Sequence, residues 1–344
     1  MVDTGRRLRP HEATPFELGG ISVLPGERSD LRVKISELYT AVPVMIPLTI
    51  VNGARPGPRL FVTAAIHGNE TNGIEMVRRM RAEVDPLALK GVLLLVAIAN
   101  PIAFMNLTRD LPDGRDLNRF FPGRDLGSMA SHIAASLFDK VIRRADVGID
   151  LHTAAAGRTN LPHVRADLRF PQVRRLSSAF GCEVVFDMAG EKGMLRHAAT
   201  RLGIPTIVYE AGEPMKFQQN LIARGVTGIK NVMAELGMYD FPRESPAFQV
   251  IIDDHKWIRA KRGGIMMMQI KPGDIVEKGD VIAVHTKPFG AEVMRTRAPY
   301  SGLVVGTNTM PMAIPGTALC HLVKLGSRLK PMKTMLRRKP LVFE

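Results

Sequence analysis

The sequence predicts an α/β domain, a mostly parallel or mixed sheet flanked by helices, followed by a small all-β domain. Three observations carry this. Short apolar runs at 60–65, 91–99, 147–151 and 206–209 alternate with stretches of helical spacing. The first and third runs lead directly into polar, His-bearing segments, HGNETNG and HTA, as strand ends facing a ligand do. After Tyr239 the texture changes to brief β-like runs broken by Gly and Pro.

In order along the chain, residues 32–50 tend to alternate and end in Val42, Val44, Ile46, Leu48 and Ile50, which predicts opening antiparallel strands. The run at 60–65 is the first buried strand. A sharp turn over 67–73 follows, and Ile74, Met76, Val77 and Met80 have the spacing of an amphipathic helix starting near Thr71. The second strand is 91–99, a helix is expected over 130–143, and the third strand, 147–151, runs straight into His152. Segments 176–180, 194–201 and 206–209 continue the alternation, and a helix over 220–236 closes it. Residues 241–246 read as a linker, which divides the chain into an α/β domain, 1–245, and a small β domain, 246–344.

The β segment contains GGIMMMQIKPGDIVEKGDVIAVHTKPFG, APYSGLVVG and IPGTALCHL. Its KPGD and EKGD turns and later APYSG resemble the barrel-sandwich fold of lipoyl and biotinyl domains. The lysine nearest to a carrier position, Lys287, is followed by Pro288 and Phe289, so covalent modification is not expected. Met266 to Met268 are expected as strand and core filling.

With 344 residues, 45% of them hydrophobic, the chain is long enough for two domains and a large core. The most apolar stretch, 92–99, is far short of the roughly 20 residues a bilayer requires, so no membrane span is expected. The start of the chain lacks an export signal, and two distant cysteines, Cys182 and Cys320, give no disulfide framework; a reducing cytoplasm is the expected location. The net charge of +14 is spread along the chain, with small clusters at 6–9 and 330–339, and only 6% of residues are aromatic. No stacking platform for nucleic acid is expected from that pattern. The excess charge would draw in a small carboxylate substrate or keep the chain soluble.

A hydrolytic zinc site needs three protein ligands and one open position, and His, Glu and His are a recurrent choice. His67 and Glu70 lie three residues apart directly after one strand, and His152 follows another. Strand-end placement puts all three at the same sheet edge, although the spacing alone also suits cobalt or manganese.

HGNE, DLNRFFPG, DLHT and VYEAGE, in this order, resemble the signature set of the succinylglutamate desuccinylase and aspartoacylase family, which is related in fold to zinc carboxypeptidases. The resemblance spans about 42–212, and the β segment is similar to the carboxyl-terminal domain of such proteins. It implies one Zn²⁺ per chain held by His67, Glu70 and His152. Glu210, in preference to Glu213, takes the place of the general base. Asn118 and Arg119 match positions that grip a substrate carboxylate, and Asp116 matches a residue that steadies a zinc-bound His. Arg109 resembles the arginine that stabilises the oxyanion, with Arg115 as its competitor. His163 and Arg165 either line the pocket or belong to a surface loop; His132, His197, His255, His285 and His321 fit no motif. The implied activity is zinc-dependent deacylation, cleaving the linear amide of an N-acyl amino acid or related small carboxylate. The alternatives are a carboxypeptidase or peptide amidase, or a non-catalytic binding protein, and a homo-oligomer is left open.

Overall fold

The computed structural model describes residues 10–38, 40–326 and 334. The basic clusters at 6–9 and, apart from Thr334, at 330–339 lie outside the described residues. The chain opens with the hairpin β1 (Phe16–Leu18) and β2 (Ile21–Val23), then the long antiparallel pair β3 (Glu27–Glu37) and β4 (Pro43–Asn52). Next come β5 (Arg55–Ala64), α1 (Asn72–Glu83), β6 (Lys90–Val96), α2 (Pro101–Met105), α3 (Met129–Lys140) and β7 (Val147–His152). They are followed by β8 (Arg158–Ala166), α4 (Pro171–Phe180), β9 (Val184–Asp187), α5 (Leu195–Arg201), β10 (Thr206–Gly212) and α6 (Gln219–Glu235). The remainder is β11 (Val250–Ile252), β12 (His255–Arg259), β13 (Gly264–Met268), β14 (Ile275–Val276), β15 (Val281–Thr286), β16 (Glu292–Arg297), β17 (Gly302–Asn308), β18 (Met312–Ala313) and β19 (Ala318–Lys324). The fold is the expected one: a mixed sheet flanked by helices, then an antiparallel β region.

Four parallel strands form the centre, in the order β10, β7, β5, β6. Antiparallel neighbours, β4 beside β6 and β8 beside β10, make the sheet mixed. Both faces are buried. Leu60, Val62 and Ala64 pack with Met76, Val77 and Met80 of α1 and with residues of α4 and α6. Phe61 points the other way, into a cluster with Ile133, Leu137 and Phe138 of α3 and with Leu195 and Ala199 of α5. Successive side chains of a strand alternate between faces, so a sheet covered on both sides reads as an unbroken apolar run. Each fully buried side chain of this kind contributes about 1.5–3 kcal/mol.

Two features depart from the sequence expectation. Strand β8 was not anticipated, because Arg158, Asn160, His163 and Arg165 give it the polarity of a loop. It pairs with β10 and, at its start, with β17, where Asn160 faces Gly306 and Arg158 faces Asn308. The first sheet therefore runs on through β17 and β19 to β12, while β16, β15, β13 and β18 form a separate sheet. In the methionine run, Met266 packs inward as expected but Met267 faces solvent, because adjacent strand positions cannot both point to the core. Among the described residues, no helix is long and apolar enough to cross a membrane.

The turn after β5 is tightly built. Ala65 takes a left-handed φ of 52°, a conformation that L-residues adopt at a cost of about 1–3 kcal/mol when the surroundings enforce it. Asn100 caps α2 by accepting from the Ala103 amide (3.1 Å) and donates to the Ile66 carbonyl (3.1 Å), so one buried side chain ties helix to turn. Gly68 lies against the α2 backbone, where a Cβ would come 2.0 Å from the Ala103 carbonyl carbon. Gly68→Ala must therefore displace backbone, and it is expected to destabilise by at least the about 1–3 kcal/mol typical of overpacked sites. The urea midpoint of unfolding checks this, and an unchanged midpoint would show that the turn yields freely.

Candidate active site

His67 follows the Ala65 turn, Glu70 ends the same loop just before α1, and His152 is the last residue of β7. Because β5 and β7 are parallel neighbours, their ends present these groups at one edge. Glu70 sits between the two imidazoles, with Oε1 2.7 Å from His67 Nδ1 and Oε2 2.8 Å from His152 Nδ1. All three side chains are buried, and their ligand atoms lie within 4.8 Å of one another. The Thr153 amide also donates to Glu70 Oε2 (3.1 Å).

The outer nitrogens are held as well. His67 Nε2 lies 3.1 Å from Asp116 Oδ1, and His152 Nε2 lies 2.8 Å from Asp150 Oδ2, whose other oxygen accepts from Thr63 Oγ1 (2.7 Å). Burial works against a charge on either ring. Glu70 and Asp116 nevertheless raise His67 above the ordinary imidazole range, and Asp150 and Glu70 raise His152 well above it. Glu70 and Asp116 are themselves held far below the usual carboxylate range, by the two imidazoles and by His67 with Arg109 respectively, despite burial. Each ring thus has a carboxylate at Nε2 and Glu70 at Nδ1, surroundings that favour positive charge. This donor set, two imidazole nitrogens and a carboxylate oxygen with carboxylates behind both rings, fits a divalent cation. Asp150 escaped the sequence reading, although its place two residues before His152 on a strand put both on one face.

The three groups border a cavity of about 370 Å³ that is also lined by Arg109, Asn118, Arg119, Arg158, Asn160, Arg165, Met194, Arg196, Glu210 and Trp257. Glu210, opposite His152 in the parallel pairing, ends the straight part of β10. A bulge against β8 follows it, the irregularity by which strand edges re-aim side chains. Its Oε2 accepts from Asn160 Nδ2 (3.1 Å), and its Oε1 lies 3.4 Å from Arg165 Nη1. Glu213 pairs with Lys216 (2.8 Å) and does not line the cavity. Arg109 places Nη1 3.2 Å from both Glu70 Oε1 and His67 Nδ1, and its Nη2 donates to Asp116 Oδ2 (2.9 Å). Its competitor Arg115 turns away to pair with Asp113 (2.6 Å). Asp116 also accepts from the Asn118 amide (2.8 Å), starting the short 3-10 turn Leu117–Arg119 that brings Asn118 and Arg119 to the cavity. The Asn118 side-chain oxygen is taken by the Leu195 amide (2.8 Å), which leaves its NH₂ to the cavity.

His163 is at neither of its expected places. It is fully buried in β8, its ring edge-on to Phe186; Arg165, two residues on along the same face and longer, lines the cavity and His163 does not. Three lining residues had no signal in any motif. Arg158 stacks over Trp257 (4.8 Å), which comes from β12. Arg196, from α5, is only 6% exposed, and its Nε has no hydrogen-bond partner among the described residues. Burial, with Arg165 nearby, pushes Arg196 down to about 10.

Residues 56–236, more than half of the chain, match the family described as the succinylglutamate desuccinylase/aspartoacylase catalytic domain. The chain belongs to this family. It is 28% identical over 295 residues to N-alpha-acetyl-L-2,4-diaminobutyric acid deacetylase of Halomonas elongata, covering 81% of this chain and 84% of that protein. It is 29% identical over 189 residues to succinylglutamate desuccinylase of Ectopseudomonas mendocina, covering 48% of this chain and 53% of that enzyme. In fold it is similar to the product-bound ectoine utilization protein EutE (DoeB) of Ruegeria pomeroyi, at TM-score 0.79 and 23% identity over 86% of this chain and 95% of that one. A succinylglutamate desuccinylase from a Silicibacter species has TM-score 0.78 and 23% identity, covering 93% of this chain and all of its own (100%).

Within this family frame the carboxylates behind the imidazoles become testable. Asp150→Asn is expected to weaken divalent-metal binding about 10- to 100-fold, read by competition with a chromophoric chelator. Affinity equal to wild type would show that Asp150 does not orient His152. A second outcome concerns His321, which stacks on Trp257 (4.8 Å) and is pushed down to about 3 by burial, with Arg165 and His255 adding to it. Below its ordinary value of about 6.5 the unfolded chain takes up a proton that the folded chain refuses, so stability falls as pH drops from there towards about 3. His321→Phe should make that fall shallower in urea titrations across the acid range; an identical slope would dismiss the attribution.

Proposed function

We propose that this chain is a zinc-dependent deacylase that hydrolyses the amide bond of a small N-acyl amino acid carrying more than one negative charge. The observation that carries the reading is the meeting of His67, Glu70 and His152 in one buried cluster beside Glu210. Family membership and the deacylase relatives support it. When bound, zinc supplies Lewis acidity, activating water and polarising the scissile carbonyl. Glu210 takes the proton of the attacking water and returns it to the leaving amine. Arg109, fixed by Asp116, offers donors to the oxygen on which charge develops. Asn118 and Arg119 hold the substrate carboxylate.

The charge balance of the cavity supports the anionic substrate. Five guanidiniums, Arg109, Arg119, Arg158, Arg165 and Arg196, line it with two carboxylates, Glu70 and Glu210, and Asp116 beside Arg109 and Asp150 behind His152 offset only part of the excess. A bound divalent ion increases the excess. Arg196 in particular is a buried cation whose Nε lacks a hydrogen-bond partner among the described residues, a costly state that an anionic group would relieve. The amine named for the Halomonas relative's substrate would be repelled here. Trp257, contributed by the β segment, lines the cavity with its bulky ring and favours a small molecule over a peptide.

The test is a panel of N-acyl amino acids with anionic, neutral and cationic side chains. Expected are about one zinc per chain, activity confined to anionic members, and no hydrolysis by His67→Ala or Glu210→Ala. Arg196→Gln should cost about 10- to 100-fold in kcat/KM for the doubly charged substrate, the worth of a charged hydrogen bond. Wild-type rates in the His67 and Glu210 variants would end the mechanism, and preference for a cationic side chain would end the substrate assignment.

A further inference from the structure

His163 has no direct part in the cavity, yet it is the most completely enclosed polar side chain on β8. Its two nitrogens have separable roles. Arg165 Nε donates to His163 Nε2 (3.1 Å), and since a guanidinium cannot accept, Nε2 is the acceptor and the ring proton is on Nδ1. That Nδ1–H donates to the Leu161 carbonyl (2.8 Å). Burial and the Arg165 charge hold His163 well below the ordinary imidazole range, which keeps it neutral and able to accept. The far side of the same guanidinium lies 3.4 Å from Glu210 Oε1, while Asn160 donates to Oε2 (3.1 Å). Leu161, His163, Arg165 and Asn160 all belong to β8, and His163 is opposite Glu210 in the antiparallel register.

We infer that Arg165, clamped by His163, is a positioning residue for Glu210. An arginine at a cavity wall ordinarily keeps much rotamer freedom. Here its Nε is fixed from behind by a ring that is itself fixed to its own strand, so the Nη1 that meets Glu210 is held in place. With Asn160 on the other oxygen, the carboxylate is restrained at both ends. A group that must receive a proton within hydrogen-bond reach gains from that restraint, since misplacement by about 1 Å can cost about 10²-fold. The inference rests on the reading of Glu210 as general base. It differs from a substrate-binding role for Arg165, which would act on affinity.

The experiment uses the zinc-loaded full chain and its best substrate from the panel above. Arg165→Ala is expected to lower kcat about 10- to 100-fold with KM nearly unchanged, with wild-type zinc content and unfolding midpoint, and with partial rescue by added guanidinium. His163→Gln, whose amide oxygen can still accept from Arg165, should retain more kcat than His163→Leu. In a Glu210→Asp background, where the shortened carboxylate no longer meets Arg165, Arg165→Ala should cost little more. A rise in KM with kcat intact would overturn the inference in favour of a substrate contact, and full additivity with Glu210→Asp would overturn it as well. If Glu210→Ala is inactive while Arg165→Ala works normally, this inference alone fails. If Glu210→Ala is itself fully active, the general-base reading falls and takes this one with it. The Arg165 arm stands even if His163→Leu does not fold.

Discussion

The structure is organised around one buried carboxylate. Glu70 has an imidazole on each oxygen, a backbone amide on one of them and a guanidinium on the other. Removing a carboxylate from water costs several kcal/mol unless positive groups meet it closely, so the partners of Glu70 cannot be placed loosely. Each is delivered by a different rigid part: His67 by the turn after β5, His152 by the end of β7, and Arg109 by the loop beyond α2. The mixed sheet is what holds those parts in register, and its two apolar faces are what hold the sheet.

That dependence explains what could be read in advance. HGNE and DLHT were legible because each combines an unbroken apolar strand with an abrupt polar end, a pattern that core burial alone does not produce. Glu210 was legible for the same reason. The central strands and the helices over α1, α3 and α6 were legible from their periodicity. Strand β8 was not, because the positions that would have shown alternation are occupied by Asn160 and Arg165, which line the cavity, and by the buried His163. Local pattern is expected to fail at functional sites, where residue choice answers to chemistry before packing.

Residues brought in by long-range contacts were beyond the sequence reading altogether. Arg196 is on a short helix of mixed character, and Trp257 is on a strand more than a hundred residues after His152. Nothing in their neighbours marks them. Arg196 comes in on α5, whereas Trp257 reaches the cavity because β17 hydrogen-bonds to β8 and carries β19 and β12 along the same sheet. The β segment thus contributes to the cavity wall.

Trp257 has one more property: it is the sole tryptophan of the chain. Its indole lies between the Arg158 guanidinium and the His321 ring while bordering the cavity. Indole emission responds to nearby charge and to stacking partners, so the protein carries a built-in optical probe at this cavity. No other indole contributes background, so any change at this cavity can be followed in the unlabelled molecule.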